Sequence, residues 1–154
     1  MARIMLVDDD RNVLRSLSRT IHFMPFAQLR GEAVVESFDQ PAQALARAAE
    51  CAFDLVIADY LMPTMNGVEF MRKLAELHPQ TPRILLSGFA GILEAMAAVK
   101  GMGPIDLMAK PWDDEHLKQA IARLLQARRS VKMAPLSSPH RMPLSPMRQL
   151  ASVR

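Results

Sequence analysis

The sequence predicts a doubly wound α/β fold in which five parallel strands alternate with five helices. Three observations predict it. Short apolar runs alternate with amphipathic stretches from the N-terminus to about residue 126. Two of the apolar runs end in aspartate, one at Asp8 and the other at Asp59. Half of the 154 residues are apolar and only 5% are aromatic, which favours a core of aliphatic side chains.

Five short apolar runs are typical of buried parallel strands. They cover residues 3–7, 32–38, 53–58, 83–86 and 105–108. Because these runs are close to continuous rather than alternating, they indicate strands that helices cover on both faces of the sheet.

The first two helices are predicted by apolar residues at three- and four-residue spacing. The first helix follows Asp10, which we expect to cap it, and it ends before Pro25. Its apolar face consists of Val13, Leu14, Leu17 and Ile21. The second helix begins near Pro41, a residue suited to a first turn, with Asp39 as the expected N-cap.

Three further helices complete the alternation. The third begins near Gly67 and ends before two prolines, Pro79 and Pro82. The fourth covers roughly residues 92–100. The last begins with the acidic residues Asp113, Asp114 and Glu115, which favour a helix N-terminus through the macrodipole. It buries Leu117, Ile121, Leu124 and Leu125.

The net charge of +3 is distributed unevenly along the chain. Residues 127–154 hold six of the 19 basic residues and no acidic one, so 13 basic and 16 acidic residues remain in the first 126 positions. The basic segment is also rich in proline and serine, a composition that resists helix and strand. We therefore expect a folded region at 1–126 and a disordered tail at 127–154. A solvated tail is the simpler interpretation, and nucleic-acid or membrane binding is the alternative.

Several classes of protein are disfavoured by composition. A single cysteine, Cys51, excludes an internal disulfide framework and fits a reducing compartment. No stretch approaches the roughly 20 apolar residues that a membrane span needs. The N-terminus lacks the pattern of a secretory signal. The expected location is cytoplasmic.

Polar groups follow four of the predicted strands, at the edge where the carboxyl ends of parallel strands meet. Asp8 and Asp9 follow the first strand and Asp59 ends the third, whereas Ser87 and Lys110 follow the fourth and the fifth. Clustered carboxylates repel one another unless a cation neutralises them, and their oxygens suit a hard divalent ion. A carboxylate can accept a phosphoryl group while a lysine and a hydroxyl hold its other oxygens. Each residue alone would fit an ordinary turn or loop, but the set predicts phosphoryl transfer with a divalent metal.

Four strings of residues carry a family resemblance. They are IMLVDDD, DLVIADYLMPTMNGVEF, ILLSG and LMAKPW, in this order and spacing. Together they resemble the receiver domain of two-component response regulators, over residues 3 to about 126. The resemblance implies a flavodoxin-like sheet with strand order 2-1-3-4-5 and five helices.

The resemblance also implies a role for each residue of the set. Asp59 would be the phosphoacceptor, and Ser87 and Lys110 would contact oxygens of the phosphoryl group. The ligands of Mg²⁺ would be Asp8, Asp9, Asp59 and the backbone carbonyl of Leu61. The Lys110–Pro111 peptide bond would be cis, an arrangement that proline makes accessible.

Partners are implied in the same way. The phosphoryl donor would be a sensor histidine kinase or a histidine phosphotransfer protein. The signal would pass to a downstream protein whose identity the sequence does not give. A homodimer through the face of the fourth helix, fifth strand and last helix is a further expectation. Because no second domain follows in the sequence, we expect no dedicated DNA-binding module.

The chain departs from the family pattern at three positions. Leu107 stands where receivers usually have tyrosine or phenylalanine, so we expect the switch on that face to be muted or to use another residue. Leu61 and Phe89 lie two positions after Asp59 and Ser87. Because neither side chain can orient water and both are expected to shield the site, we expect slow self-dephosphorylation.

Two other functions stay open at this point. One is a pseudo-receiver that binds partners without being phosphorylated. The other is a phosphatase of the haloacid-dehalogenase type, which also uses an aspartate nucleophile, Mg²⁺ and a lysine. Such enzymes carry an acid two residues after the nucleophile, where this chain has Leu61. We therefore expect a signalling protein rather than an enzyme.

Overall fold

The computed structural model describes residues 1–29 and 31–133, which are built around one parallel sheet. Its strands are β1 (Ala2–Val7), β2 (Ala33–Phe38), β3 (Leu55–Asp59), β4 (Arg83–Gly88) and β5 (Ile105–Lys110). They pair in the order β2-β1-β3-β4-β5. This order confirms the predicted fold class.

The described part of the chain also has six α-helices and one 3-10 turn, which lie between the strands except for the last helix, which follows β5. They are α1 (Arg11–His22), α2 (Phe26–Leu29), α3 (Pro41–Glu50), α4 (Gly67–Leu77), the 3-10 turn (Phe89–Gly91), α5 (Ile92–Ala98) and α6 (Asp114–Met133). The prediction of five helices missed α2, because one turn is too short to show a helical period. The fourth and fifth predicted helices are α5 and α6. Among these described helices, none is both long and apolar enough to cross a membrane.

Successive residues of the strands point to opposite faces of the sheet and form two separate cores. Ile4 and Leu6 belong to a cluster with the apolar residues of α1 and α6. Met5 and Val7 belong to a second cluster, which includes residues of α3, α4 and α5. Burial of both faces explains why the strands read as continuous apolar runs.

Of the two N-caps predicted from the sequence, one is confirmed and the other is wrong. Asp10 caps α1, since its Oδ1 accepts a hydrogen bond from the Asn12 N–H at 2.8 Å. The expected cap of α3 by Asp39 is wrong. The N-cap residue is Gln40, whose side chain makes no capping hydrogen bond, and Asp39 accepts two bonds from Arg11 instead, at 2.9 and 3.0 Å.

The helix α6 extends into the segment that composition assigns to the tail. Residues 127–133 are helical, and the Lys132 Nζ donates to Asp54 Oδ1 at 2.8 Å. The other carboxylate oxygen of Asp54 accepts from the Arg3 N–H at 2.9 Å. Asp54 thus ties the end of α6 to the sheet. The rest of the predicted tail, 134–154, lies outside the described residues.

Candidate phosphoacceptor and metal site

The carboxyl ends of β1, β3, β4 and β5 meet at one edge of the sheet and carry the predicted site residues. The register pairs Val7 of β1 with Ala58 of β3, so Asp8 and Asp59 follow side by side. Asp59 pairs with Leu86 of β4, the residue before Ser87. The register of β1, β3 and β4 therefore sets the positions of Asp8, Asp59 and Ser87.

Asp8 is held in place from two sides although it lies outside any helix or strand. Its side chain is 1% exposed. Its Oδ1 accepts from the Asp10 N–H at 2.8 Å, and its Oδ2 accepts from the Lys110 ammonium at 2.9 Å. The Asp8 N–H donates to the Phe38 carbonyl at 3.1 Å. Asp8 is therefore a fixed, buried carboxylate.

Lys110 joins the two buried carboxylates of the site. Its Nζ lies 2.9 Å from Asp8 Oδ2 and 2.9 Å from Asp59 Oδ1. The Asp59 side chain is 9% exposed, so it is largely buried. The peptide bond between Lys110 and Pro111 is cis.

Three carboxylates are arranged closely enough to hold one metal ion. One oxygen from each of Asp8, Asp9 and Asp59 lies within 4.8 Å of the others. Asp9 is exposed, so the group opens to solvent. With all groups ionised, three carboxylates and the Lys110 ammonium carry a net charge of −2, which a hard divalent cation balances. The donor set therefore fits Mg²⁺.

The electrostatics of the pocket favour a further cation. Burial raises the pKa of Asp8, and the nearby Asp59 carboxylate raises it further, against the hydrogen bonds from Lys110 and the Asp10 N–H. Burial alone would lower the pKa of Lys110, but its hydrogen bonds to Asp8 and Asp59 outweigh burial and raise it. Lys110 thus remains charged and compensates the repulsion between the two carboxylates only in part.

Ser87 is the second-to-last residue of β4 and is fully buried. Its hydroxyl donates to the carbonyl of the next residue, Gly88, at 3.0 Å. The hydroxyl is therefore in the expected place but is bonded to its own loop.

Sequence reasoning missed two residues next to Asp59. A Cβ on Gly67 would lie 2.3 Å from the Asp59 carbonyl oxygen, and the Gly67 N–H donates to the Tyr60 carbonyl at 2.7 Å. The loop after Asp59 therefore returns so closely that it requires glycine. The side chain of Tyr60 extends to α5, where its hydroxyl donates to Glu94 Oε2 at 3.2 Å.

The structure also shows the surroundings of the three residues that depart from the family pattern. Leu107 is half-buried and packs on the cluster that contains Leu85 and Ala95. Leu61 and Phe89 are 69% and 87% exposed, so both side chains point largely to solvent. Their exposure gives no support to shielding of Asp59 by these two side chains.

Comparisons with known sequences all indicate the same protein family. Residues 4–122 match the response regulator receiver domain. The chain is 36% identical over 132 residues to the response regulator protein TmoT of Ectopseudomonas mendocina, covering 86% of this chain and 54% of that protein. It is 33% identical over 128 residues to the C4-dicarboxylate transport transcriptional regulatory protein DctD of Rhizobium meliloti, covering 83% of this chain and 26% of that protein. The chain thus spans between about a quarter and about half the length of these relatives.

Solved structures agree with this match. The signal receiver domain of an HD domain-containing protein from Pseudomonas fluorescens Pf-5 superposes with a TM-score of 0.73 at 29% identity, covering 84% of this chain and 98% of that one. A CheY-like receiver domain protein from Methanospirillum hungatei JF-1 also gives a TM-score of 0.73, at 25% identity, covering 85% of this chain and 98% of that one.

Proposed function

This chain belongs to the response regulator receiver domain family, and on that premise we propose that it accepts a phosphoryl group on Asp59 and signals through protein–protein binding. The observation that carries the proposal is the position of the Lys110 ammonium, 2.9 Å from both Asp8 and Asp59. An amine beside a carboxylate that can accept a phosphoryl group, with two further carboxylates for a metal, has the parts that phosphoryl transfer requires.

The reaction is a displacement at phosphorus. A carboxylate oxygen of Asp59 attacks the phosphorus of a phosphohistidine, an O–P bond forms, and the P–N bond breaks. The electron pair of the broken bond stays on the imidazole nitrogen, which takes up a proton from solvent. Lys110 then exchanges part of its bonding to Asp8 and Asp59 for an oxygen of the phosphoryl group. The hydroxyl of Ser87 holds another oxygen once it leaves the Gly88 carbonyl.

The proposed metal is Mg²⁺. The residues that would hold it are Asp8, Asp9 and Asp59 through their carboxylates and Leu61 through its backbone carbonyl. When bound, Mg²⁺ offsets negative charge on the transferring phosphoryl group. The buried position of Asp8 supports this assignment, because a carboxylate with a raised pKa gains stability from a second cation.

The proposed partners follow from this role. A sensor histidine kinase or a histidine phosphotransfer protein supplies the phosphoryl group in the cytoplasm, and a downstream protein reads the phosphorylated state. A homodimer through α5, β5 and α6 is a second form of output. The exposed apolar side chains of Leu93 and Met96 on α5 support a protein contact at that face. The proposed receiver domain covers residues 1–126 and is followed by a basic tail. The last helix of the domain, α6, continues beyond residue 126 to Met133.

The proposed activity is a single phosphorylation event rather than enzymatic turnover. An aspartate-based phosphatase of the haloacid-dehalogenase type needs an acid two residues after the nucleophile to protonate the leaving group. Leu61 holds that position, and its aliphatic side chain cannot transfer a proton.

The test is phosphorylation of the full chain by acetyl phosphate and Mg²⁺, followed by intact-mass measurement. The wild-type chain should gain the mass of one phosphoryl group, and Asp59→Asn should gain none. The matched control is Asp106→Asn, which removes a carboxylate of β5 that pairs with Arg123 of α6. This variant should still be modified. Modification of the Asp59→Asn chain to the wild-type level would refute the assignment. Partner binding that Asp59→Asn leaves unchanged would favour the pseudo-receiver.

A further inference from the structure

Tyr60 connects the strand of the phosphoacceptor to helix α5. Its backbone is fixed on both sides, since its N–H donates to the Leu86 carbonyl at 2.7 Å and its carbonyl accepts from the Gly67 N–H at 2.7 Å. Its half-buried side chain extends to α5, where the hydroxyl donates to Glu94 Oε2 at 3.2 Å. Glu94 lies in the first turn of α5. One side chain therefore spans the distance between Asp59 and the start of this helix.

The ring of Tyr60 and the hydroxyl of Ser87 approach the same point in space. A Cβ built on Gly91 would lie 2.9 Å from Ser87 Oγ and 3.0 Å from two ring carbons of Tyr60. Gly91 itself is the last residue of the 3-10 turn and the N-cap of α5. Because the three groups are packed around one small space, a displacement of Ser87 or its loop presses on the ring.

Ser87 has to give up its present hydrogen bond in order to contact a phosphoryl group on Asp59. Its hydroxyl now donates to the Gly88 carbonyl, so that bond must break before the hydroxyl can turn to a phosphoryl oxygen. The residue that usually answers such a movement is aromatic and lies on β5, but here it is the half-buried Leu107. An aliphatic side chain offers no hydrogen bond to exchange.

We propose that Tyr60 is the positioning residue that couples Ser87 to α5. When Ser87 contacts a phosphoryl group on Asp59, the loop moves, the ring of Tyr60 turns, and its hydrogen bond to Glu94 breaks. The first turn of α5 then loses one tie to β3 and becomes more mobile. This inference rests on the proposed function, because it needs phosphorylated Asp59 as its trigger.

The chain offers a direct probe, since Tyr60 is its single tyrosine. Tyrosine labelled with ¹³C in the ring gives NMR signals from this residue alone in the full chain. The chain is phosphorylated with acetyl phosphate and Mg²⁺, and occupancy is measured by intact mass. The ring signals should shift, and the amides of residues 92–98 should exchange with solvent about two- to tenfold faster, the factor that corresponds to one hydrogen bond.

Two substitutions at Glu94 separate the hydrogen bond from general effects on the helix. Glu94→Ala removes the acceptor, so exchange in α5 should be fast before phosphorylation and change little after it. Glu94→Gln keeps an acceptor oxygen and should restore the wild-type response. A merely structural role of Glu94 would not produce this difference in the response.

Two glycines of the same loop test the shared space. Gly91→Ala places a methyl group between Ser87 and the Tyr60 ring, so its resting chain should show shifted ring signals and fast exchange in α5. Gly88→Ala is the matched control, because an added Cβ there meets nothing within 4 Å. Its ring signals and its α5 exchange should match the wild type.

The outcomes separate this inference from the proposed function. The coupling is overturned if the phosphorylated chain keeps its resting ring signals, or if Glu94→Ala responds like the wild type. It is also overturned if resting Gly91→Ala behaves like Gly88→Ala. In each of these cases phosphorylation of Asp59 still stands by mass. A wild-type chain that gains no phosphoryl group overturns both.

Discussion

Lys110 is the residue on which the metal-free site depends most. It is paired with two buried carboxylates, Asp8 and Asp59. Lys110→Met should therefore lower the free energy of unfolding by about 3 kcal/mol in EDTA, because it leaves buried charge without a counter-ion. Added Mg²⁺ should recover more stability in this variant than in the wild type, since a second cation replaces the lost one.

Urea unfolding with and without Mg²⁺ measures both effects. Lys118→Met is the matched control, because it removes a lysine paired with the exposed Glu115 and should change the unfolding free energy little. Equal losses in the two variants would contradict a special role for Lys110.

Phosphorylated Asp59 should hydrolyse slowly, because neither Leu61 nor Phe89 has a polar group that could orient water. Leu61→Asn places an amide two residues from the phosphoacceptor and should shorten the half-life by about tenfold. This factor is a small part of the rate acceleration that positioning of a reacting water can give. Loss of the phosphoryl mass with time measures the rate. Leu77→Asn, at the far end of α4, should leave it unchanged. A wild-type half-life of seconds would be incompatible with this prediction.

Single residues with a fixed chemical role could be predicted from the sequence, whereas their neighbours could not. Asp8, Asp59 and Lys110 are polar groups at the ends of apolar runs. Such groups lie close together because the carboxyl ends of parallel strands meet at one edge of the sheet. Tyr60 has no such signal, because its role depends on where Gly91 and Glu94 lie in space. A tyrosine after a strand fits a surface loop equally well.

At the scale of elements, the end of α6 is held by an ion pair with Asp54 of the loop before β3. Burial would raise the pKa of Asp54, but hydrogen bonds from Lys132 and the Arg3 N–H outweigh it and lower the pKa below 3.8. The carboxylate therefore contributes stability above the ordinary pKa, and this contribution disappears as pH falls through the lower folded value.

Asp54→Asn should accordingly cost about 1 kcal/mol of unfolding free energy at pH 7. The difference between variant and wild type should shrink progressively below about pH 4, where the unfolded carboxylate takes up its proton. Urea midpoints across a pH series measure the trend. A difference that grows towards low pH would mean that Asp54 acts through something other than its charge.

Element boundaries were predicted where a strong local signal exists. Apolar runs located all five strands, and Pro25 marked the end of the first helix. Arg83 shows the limit: it reads as the polar start of a strand, yet it is fully buried and donates to the carbonyls of Met71, Pro79 and Met102. Burial lowers its pKa. This set of contacts depends on where helix α4 and two loops meet in space, which no local sequence pattern encodes.

At the scale of the molecule, the site is a product of sheet order. Asp8 and Lys110 are 102 residues apart in sequence, and their ion pair forms at the edge where β1, β3 and β4 bring the strand ends together. Asp59 on the central strand β3 lies between them in sequence and contacts Lys110 directly. Tertiary packing thus creates the site from residues that are remote along the chain.

The extent of the folding unit is the last prediction, since composition places its end at 126 and α6 continues to Met133. A chain of residues 1–133 should keep the full-length unfolding midpoint and level of phosphorylation, because it retains the Lys132–Asp54 pair. A chain of residues 1–126 should lose about 1 kcal/mol or more. Lys132→Met in the full chain is the matched control that separates the ion pair from helix length. If the 1–133 chain lost as much stability as the 1–126 chain, the boundary would lie beyond α6 and the tail would be part of the fold.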